Sequence, residues 1–364
     1  MYRKGIMLLF SMLLLAGCWD ERLYKNASVV TLVGGVDGYV GGAYKGGYYA
    51  YPNTAAQQNE VIEADGISPR DVRNQANLKV EQTIDLSELS TILVSDQTVR
   101  EPLYDILDIY FRNPQNPISI KIAVTEGDVK PFIELTKDLA GGGSGDYYER
   151  FMESTEENTI FPKLDLQTVG SMLFEQTIDI ALPYIQLSED KKHAVAAGVT
   201  LFSGQRFTGT VLTPKQSLTM LLLMNQPSKQ ARMSYMWKHD GKAMPITAEV
   251  IHIKRQWTVN EELKRIDMDY LIEVEIEEFA HDHLYKDPIF KEVQQLIQNQ
   301  MQAEFEEVLR ILQGQQSDTL GGIGRYIRAY HPPKMFQKDW HTIYASLQLV
   351  PSVQVKIIRT GVLR

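Results

Sequence analysis

The sequence predicts a mixed α/β protein, α+β in part, behind a lipoprotein signal peptide. Three observations predict this class. Strand and helix signals alternate along the first half. Two long stretches in the last third, Ala248 to Thr258 and Arg265 to Phe279, alternate apolar and charged residues as strands with one wet face do. One long amphipathic helix follows them. The 364 residues allow two or three domains. Glycine and proline breaks divide the chain into three unequal consecutive segments, 27–145, 160–226 and 229–364.

In order, Ala27 to Val36 is rich in β-branched residues and reads as a strand. Gly38 to Gly47 reads as a Gly/Tyr connection into Tyr48-Tyr49-Ala50-Tyr51. Tyr39 to Tyr51 reads as a packed loop in preference to a contact surface. Ser68, Pro69 and Asp71 form a helix-start signal. Thr91 to Ser95 and Ile118 to Thr125 are short strands around an amphipathic helix, Pro102 to Phe111, which Asn113-Pro114 stops. Gly141 to Gly145 reads as a flexible linker or loop tip. Leu166 to Ala181 starts helical and becomes extended. Ala194 to Phe202 and Phe207 to Leu212 flank a hairpin turn at Ser203 to Arg206. Thr213-Pro214-Lys215-Gln216 is a capping box, and Leu218 to Met224 reads as a short amphipathic piece. Leu271, Val274 and Ile276 interleave with Glu273, Glu275 and Glu277. Asp287-Pro288 opens the long helix at 288–313; Val293, Ile297, Met301, Phe305 and Leu312 share one face, and Gly314 ends it. Ser352 to Ile358 closes the chain as an alternating strand.

Composition excludes several functions. Lys and Arg number 37 against 46 Asp and Glu, a net charge of −9, which argues against a nucleic-acid partner. The single cysteine, Cys18, can close no internal disulfide and can build no cysteine-rich metal site. It follows a basic start at Arg3-Lys4, an apolar run from Ile6 to Ala16, and Leu15-Ala16-Gly17. That run is far shorter than the ~20 residues of a spanning helix. It describes a secretory signal peptide over 1–17. Leu15, Ala16, Gly17 and Cys18 resemble the bacterial lipobox, in which the thiol receives a diacylglycerol and cleavage leaves it as the N-terminus. Cleavage removes Arg3 and Lys4, so 347 residues remain and the charge moves to −11. Residues 18–26 then form a lipid-anchored linker, and lipid, not basic residues, holds the body on its bilayer.

No enzyme constellation stands out, so the expectation is a non-enzyme with neither cofactor nor metal. His281-Asp282-His283 could form a metal corner, but no HExxH is present and two His at i, i+2 point the same way only on a strand, so it reads as a solvated turn. Gly142-Gly143-Ser144-Gly145-Asp146 has Asp where a nucleophile elbow needs glycine. Gly321-Gly322-Ile323-Gly324 lacks the strand and the Lys-Ser/Thr of a phosphate loop. The Glu273, Glu275, Glu277 ladder reads as the wet face of a strand.

Cys18-Trp19-Asp20 resembles the mature start of the C-subunit lipoproteins of bacterial spore germinant receptors, the Ger(x)C family. Further marks lie in the same order. They are Asp105 to Pro114 with Arg112, then Ala197-Gly198-Val199-Thr200 before Arg206 and Gly209. Asp318 to Gly324 follows with Tyr330-His331-Pro332 and Trp340, and Arg359-Thr360-Gly361 closes the series. Two departures are Leu86-Ser87-Glu88-Leu89, where the family often has a basic or His residue, and the glycine-rich inserts.

The resemblance implies three α/β domains, each a sheet packed by helices. It implies a lipid-anchored subunit at the outer face of the spore inner membrane. Its partners there would be an A subunit and a multi-spanning B subunit similar to amino-acid permeases, in a complex that answers nutrients by triggering germination. A scaffold and coupling role is the expectation. The competing class is a solute-binding lipoprotein of an ABC transporter, with two similar lobes around an aromatic-lined cleft.

Overall fold

The computed structural model describes residues 27–35, 37–40, 43–53, 58–137, 143–279, 284, 287–330 and 339–360. Residues 1–17, expected as a signal peptide, and Cys18, Trp19, Asp20, His281 to His283 and Gly361 lie outside them.

The first half builds a nine-stranded sheet and a small two-stranded one. β1 (Ala27–Val29) pairs in parallel with β6 (Thr83–Asp85) in the small sheet. β2 (Leu32–Gly34), β3 (Gly38–Val40), β4 (Ala43–Asn53), β5 (Gln58–Gly66), β7 (Thr91–Ser95) and β8 (Lys121–Thr125) enter the large sheet. So do β9 (Ala181–Leu187), β10 (Ala194–Ser203) and β11 (Arg206–Leu212). The order is β11-β10-β9-β8-β7-β2-β4-β3, with β5 against β4. The strand expected over Ala27 to Val36 is therefore two strands in two sheets. They separate at Thr31, whose carbonyl accepts from Ser90 and Thr91. The glycine-rich stretch after Gly38 is largely strand, and Tyr44, Tyr48 and Tyr49 are buried in it.

Side chains alternate across the sheet. Ile92, Val94, Ile122 and Val124 face a core shared with α1 (Pro69–Asn77), α2 (Leu103–Arg112) and α5 (Leu166–Leu173). Leu93 and Ala123 face the other core, with α3 (Lys130–Leu135) and α4 (Ser144–Glu157). Lys121 of β8 and Glu156 of α4 form an inward ion pair at 2.6 Å. Ser68 accepts from the Asp71 N–H, and Thr213 and Gln216 cap each other's backbone, as their sequences predict.

Gly143 to Gly145 are not a linker. Gly143 caps α4, and the Gly145 N–H donates to Thr31 Oγ1 at 3.2 Å. A Cβ on Gly145 would stand 2.1 Å from the Thr31 carbonyl oxygen. Gly145→Ala must push α4 off β2, and thermal or denaturant unfolding should register a loss of about 1–3 kcal/mol. Unchanged stability would show that this approach is not tight. Because α3, α4 and α5 form the crossover between parallel β8 and β9, the large sheet runs on through the segment 160–226. Val124 pairs with Tyr184 and Thr125 with Ile185.

The last third is a four-stranded sheet, β12 (Arg232–His239), β13 (Lys242–Val259), β14 (Arg265–Phe279) and β15 (Gln348–Arg359). Its inner face, with Tyr270, Ile272, Val274 and Ile276, packs on α7 (Asp287–Gly314) through Val293, Ile297, Met301 and Phe305. Leu271 is on the wet face beside the glutamates, opposite Lys254, because the inward set has even numbers. β15 pairs in parallel with β14 and forms an edge. Gln294, Gln298 and Gln302, one helical turn apart on α7, accept from the N–H groups of Ile357, Val355 and Val353. These side chains close an edge that would otherwise invite strand addition. The short α8 (Ile323–Tyr330) and α9 (Trp340–Ser346) complete this body. α6 (Pro214–Leu223) joins the two bodies. It is buried on every side from Ser217 to Leu223, not amphipathic, because both sheets pack around it.

Candidate functional site

The main buried polar cluster lies where the two bodies meet. α7 ends at Gly314, and the chain turns back through Gln316 in a left-handed conformation at φ 54°. Gly321 and Gly322, at φ +83° and +81°, then turn it into α8. A helix start leaves N–H groups without partners. Here the Asp318 carboxylate accepts from Ile323 N at 3.0 Å and from Gly324 N at 2.9 Å. The turn that superficially suggests a phosphate cradle thus holds a carboxylate from its own chain. Trp340 Nε1 donates to the same carboxylate at 3.1 Å.

The other half of the cluster belongs to the large sheet. Asp179 precedes β9. Its N–H donates to the Asp318 carbonyl at 2.9 Å, and its Oδ2 accepts from the Asp318 N–H at 2.7 Å. Its Oδ1 accepts from Gly204 N, in the β10–β11 turn, at 2.7 Å and lies 3.0 Å from His341 Nε2. Ser317 Oγ donates to the Phe202 carbonyl at 2.6 Å, and Ser203 Oγ donates to the Gln316 carbonyl at 3.1 Å. Glu175 and Arg328 pair at the rim. Space is as constrained as polarity. A Cβ on Gly324 would meet the Trp340 ring at 2.6 Å and the Thr177 side chain at 2.7 Å.

Burial pushes the Asp318 carboxyl up to about 7; the three N–H donors oppose this, and the neighbouring Asp179 charge adds to it. The hydrogen bond to Asp179 raises His341, against the effect of burial, and the charges of Asp179 and Asp339 add to the rise. Tyr344 is buried beside both aspartates, and its hydroxyl has no hydrogen-bond partner among the described residues. Chemically the cluster is a lock between bodies, with most of its acceptors filled by backbone and indole donors.

Asp318, Gly324 and Trp340, marked out in the sequence, converge here. The other described marks do not. Arg112 is an exposed partner of Asp108 one turn back on α2, at 2.7 Å. Arg359 pairs with Glu275 across β14 and β15 at 3.3 Å. Gly198 sits in a β10 bulge at φ +123°, where a Cβ would stand 1.7 Å from the Leu212 carbonyl oxygen. Asp179 carries no sequence signal; Gly204 is legible only as part of the Ser203 to Arg206 hairpin turn, and His341 only as the residue after Trp340. Among the described residues, no group of three or more His, Cys, Asp or Glu could hold a metal, and no helix is long and apolar enough to cross a membrane.

A C-terminal body joined to an extended mixed sheet through this cluster defines a two-part, sheet-based protein. Two family models match its two parts. The spore germination protein N-terminal domain covers residues 28–187, and the C-terminal domain described as spore germination B3/GerAC like covers 197–361. The chain belongs to the Ger(x)C family of spore germination proteins. It is 22% identical to the spore germination protein GerQC of Bacillus cereus over 99% of both chains. It is also 22% identical to a Bacillus subtilis (strain 168) protein named for spore germination, YfkR, over 99% of this chain and 97% of that one. The crystal structure of GerBC has the same fold, with a TM-score of 0.55 and 13% identity over 86% of this chain and 98% of that chain. The boundary between the family domains falls at the β9–β10 turn, yet β9 and β10 pair directly, and Asp179 and Asp318 join the two domains.

Proposed function

We propose that this protein is the lipid-anchored C subunit of a nutrient germinant receptor, a non-catalytic scaffold that couples membrane A and B subunits. Family membership supports the receptor assignment. The observation that carries the mechanical part is the Asp179–Asp318 lock, which makes two domains one stiff body able to transmit force or position. Diacylglycerol on Cys18 holds that body at the outer face of the spore inner membrane and raises its effective concentration beside its partners. The solute-binding alternative draws no support from the seam. The cavity there is about 260 Å³, and its lining, which includes Lys163, Glu175, Met220 and Arg325, has no aromatic side chain.

Cys18→Ala is expected to shift the protein from the membrane to the soluble fraction of spores. It should also slow nutrient-triggered germination about tenfold or more, through loss of effective concentration. Membrane retention together with normal germination would refute the anchor. A pull-down from spore membranes with mass spectrometry tests the partners. A- and B-type receptor subunits should be recovered, and recovery of ABC transporter subunits in their place would overturn the assignment.

A further inference from the structure

We infer that the protein rests on the phospholipid surface through the outward face of α1, beside the point where the anchor segment leaves the body. Three observations meet there. The two most exposed large apolar side chains among the described residues are Leu78, at 81%, and Ile67, at 74%. They bracket α1: Leu78 is its C-cap residue and follows Arg70 and Asn74 at helical spacing, so these three share one stripe, while Ile67 stands just before the extended N-cap residue Ser68. The opposite face of α1 buries Val72, Arg73 and Ala76. Leu78 and the exposed Arg70 therefore lie on one outward stripe, and Ile67 is exposed at the other end of the helix. The nine residues of α1 span about 14 Å.

The second observation is where the chain enters the body. Ala27 of β1 lies beside Thr83 of β6. Leu78 is five residues before Thr83, and the intervening Lys79 to Gln82 line the same groove as Ser28 and Val29. The third is a length. The nine residues from Cys18 to Asn26 reach at most about 30 Å when fully extended. A lipid-bearing Cys18 thus keeps the entry point at Ala27 within about 30 Å of the bilayer, and the Leu78 end of α1 leads into the groove beside that point. The other exposed apolar side chains include Met236 and Ile251 on the outer face of the four-stranded sheet, in the other body. The mature chain carries a net charge of −11, so general attraction to anionic lipid does not orient it. Two apolar side chains flanking a cation, next to a tether, can: the side chains enter the interface and Arg70 meets a lipid phosphate.

The inference rests on the anchored-subunit reading, and its test separates the two. Cys18 is the only cysteine and is acylated in the mature chain, so an introduced thiol is the single labelling site. Full-length lipidated protein carrying Ile67→Cys, Leu78→Cys or Met236→Cys is labelled with an environment-sensitive dye. It is then reconstituted into phosphatidylglycerol/phosphatidylethanolamine vesicles. Emission at 67 and 78 should rise about twofold or more and be quenched by brominated lipid, while emission at 236 stays at its detergent-free solution value. Vesicle-bound protein with unchanged dyes at 67 and 78, or with an equal rise at 236, overturns the inference and leaves the anchor intact. Protein that does not float with vesicles overturns both. A response at 67 and 78 only in spore membranes, without quenching by lipid, would assign the face to a protein partner and overturn the lipid contact.

Discussion

Asp318→Ala is expected to destabilise the protein by about 3–5 kcal/mol in denaturant unfolding at neutral pH. Ile323 N, Gly324 N and Trp340 Nε1 lose their common acceptor in a site too buried for water to replace it, and each stranded donor costs about 1–3 kcal/mol, with partial relaxation. Asp179 keeps its Gly204 and His341 partners but faces the gap. A variant as stable as the parent would mean that the lock is ornamental. Asp318→Asn keeps the shape but sets an amide where two donors point, so it should rescue only part of the loss.

The same residue makes stability depend on pH. Burial raises the Asp318 carboxyl to about 7, so the folded chain binds that proton more tightly than the unfolded chain does. Stability from this group is therefore present at low pH and is lost as pH rises from the ordinary carboxylate range to about 7. His341 is also raised, chiefly by its hydrogen bond to Asp179. Its contribution is present below the ordinary histidine value and is lost as pH rises through the raised one. The two act together, so the melting temperature should fall as pH rises from the ordinary carboxylate range through about 7 and on through the raised histidine range. In Asp318→Asn the fall should be shallower. Equal slopes in parent and variant would assign the dependence to other groups.

Gly198→Ala is the second large effect, expected at about 3–5 kcal/mol or as failure to fold. A φ of +123° is a conformation that L side chains rarely adopt and costs about 1–3 kcal/mol by itself. The added Cβ would stand 1.7 Å from the Leu212 carbonyl oxygen, 2.9 Å from its carbon and 3.0 Å from the Thr213 carbonyl carbon. None of these is a flexible side-chain end, so the β10–β11 hairpin must open, and the start of α6 must move with it. Soluble expression and a melt near that of the parent would show that the bulge can relax.

Much of the chain was readable locally. The Ser68 and Thr213 caps, the 194–212 hairpin, the apolar face of the 287–314 helix and the wet-faced strand pair all stand where their periodicity puts them. Leu271 shows the limit of that reading: it is apolar, yet the even-numbered residues of β14 face inward and it stands on the wet face opposite Lys254. Among the family marks, Asp318, Gly324 and Trp340 were legible as a set. Their partner Asp179 was not, since it lies 139 residues from Asp318 in the chain and a buried aspartate is spelled like a solvated one.

The sequence by itself determined the mixed α/β class, the extents of most elements, the lipobox pattern at Cys18 and the family resemblance, because caps, periods and short motifs act within a few residues. Only the tertiary structure decided that the large sheet continues from β8 into β9, and that Gly145 is a packing contact, not a hinge. It alone showed that Gln294, Gln298 and Gln302 seal the β15 edge and that two distant aspartates lock the bodies together. Periodicity states which face of a strand or helix is buried. Which neighbour buries it is settled by long-range pairing, where backbone hydrogen bonds, close approach and desolvated charge select one partner among many that the local pattern allows.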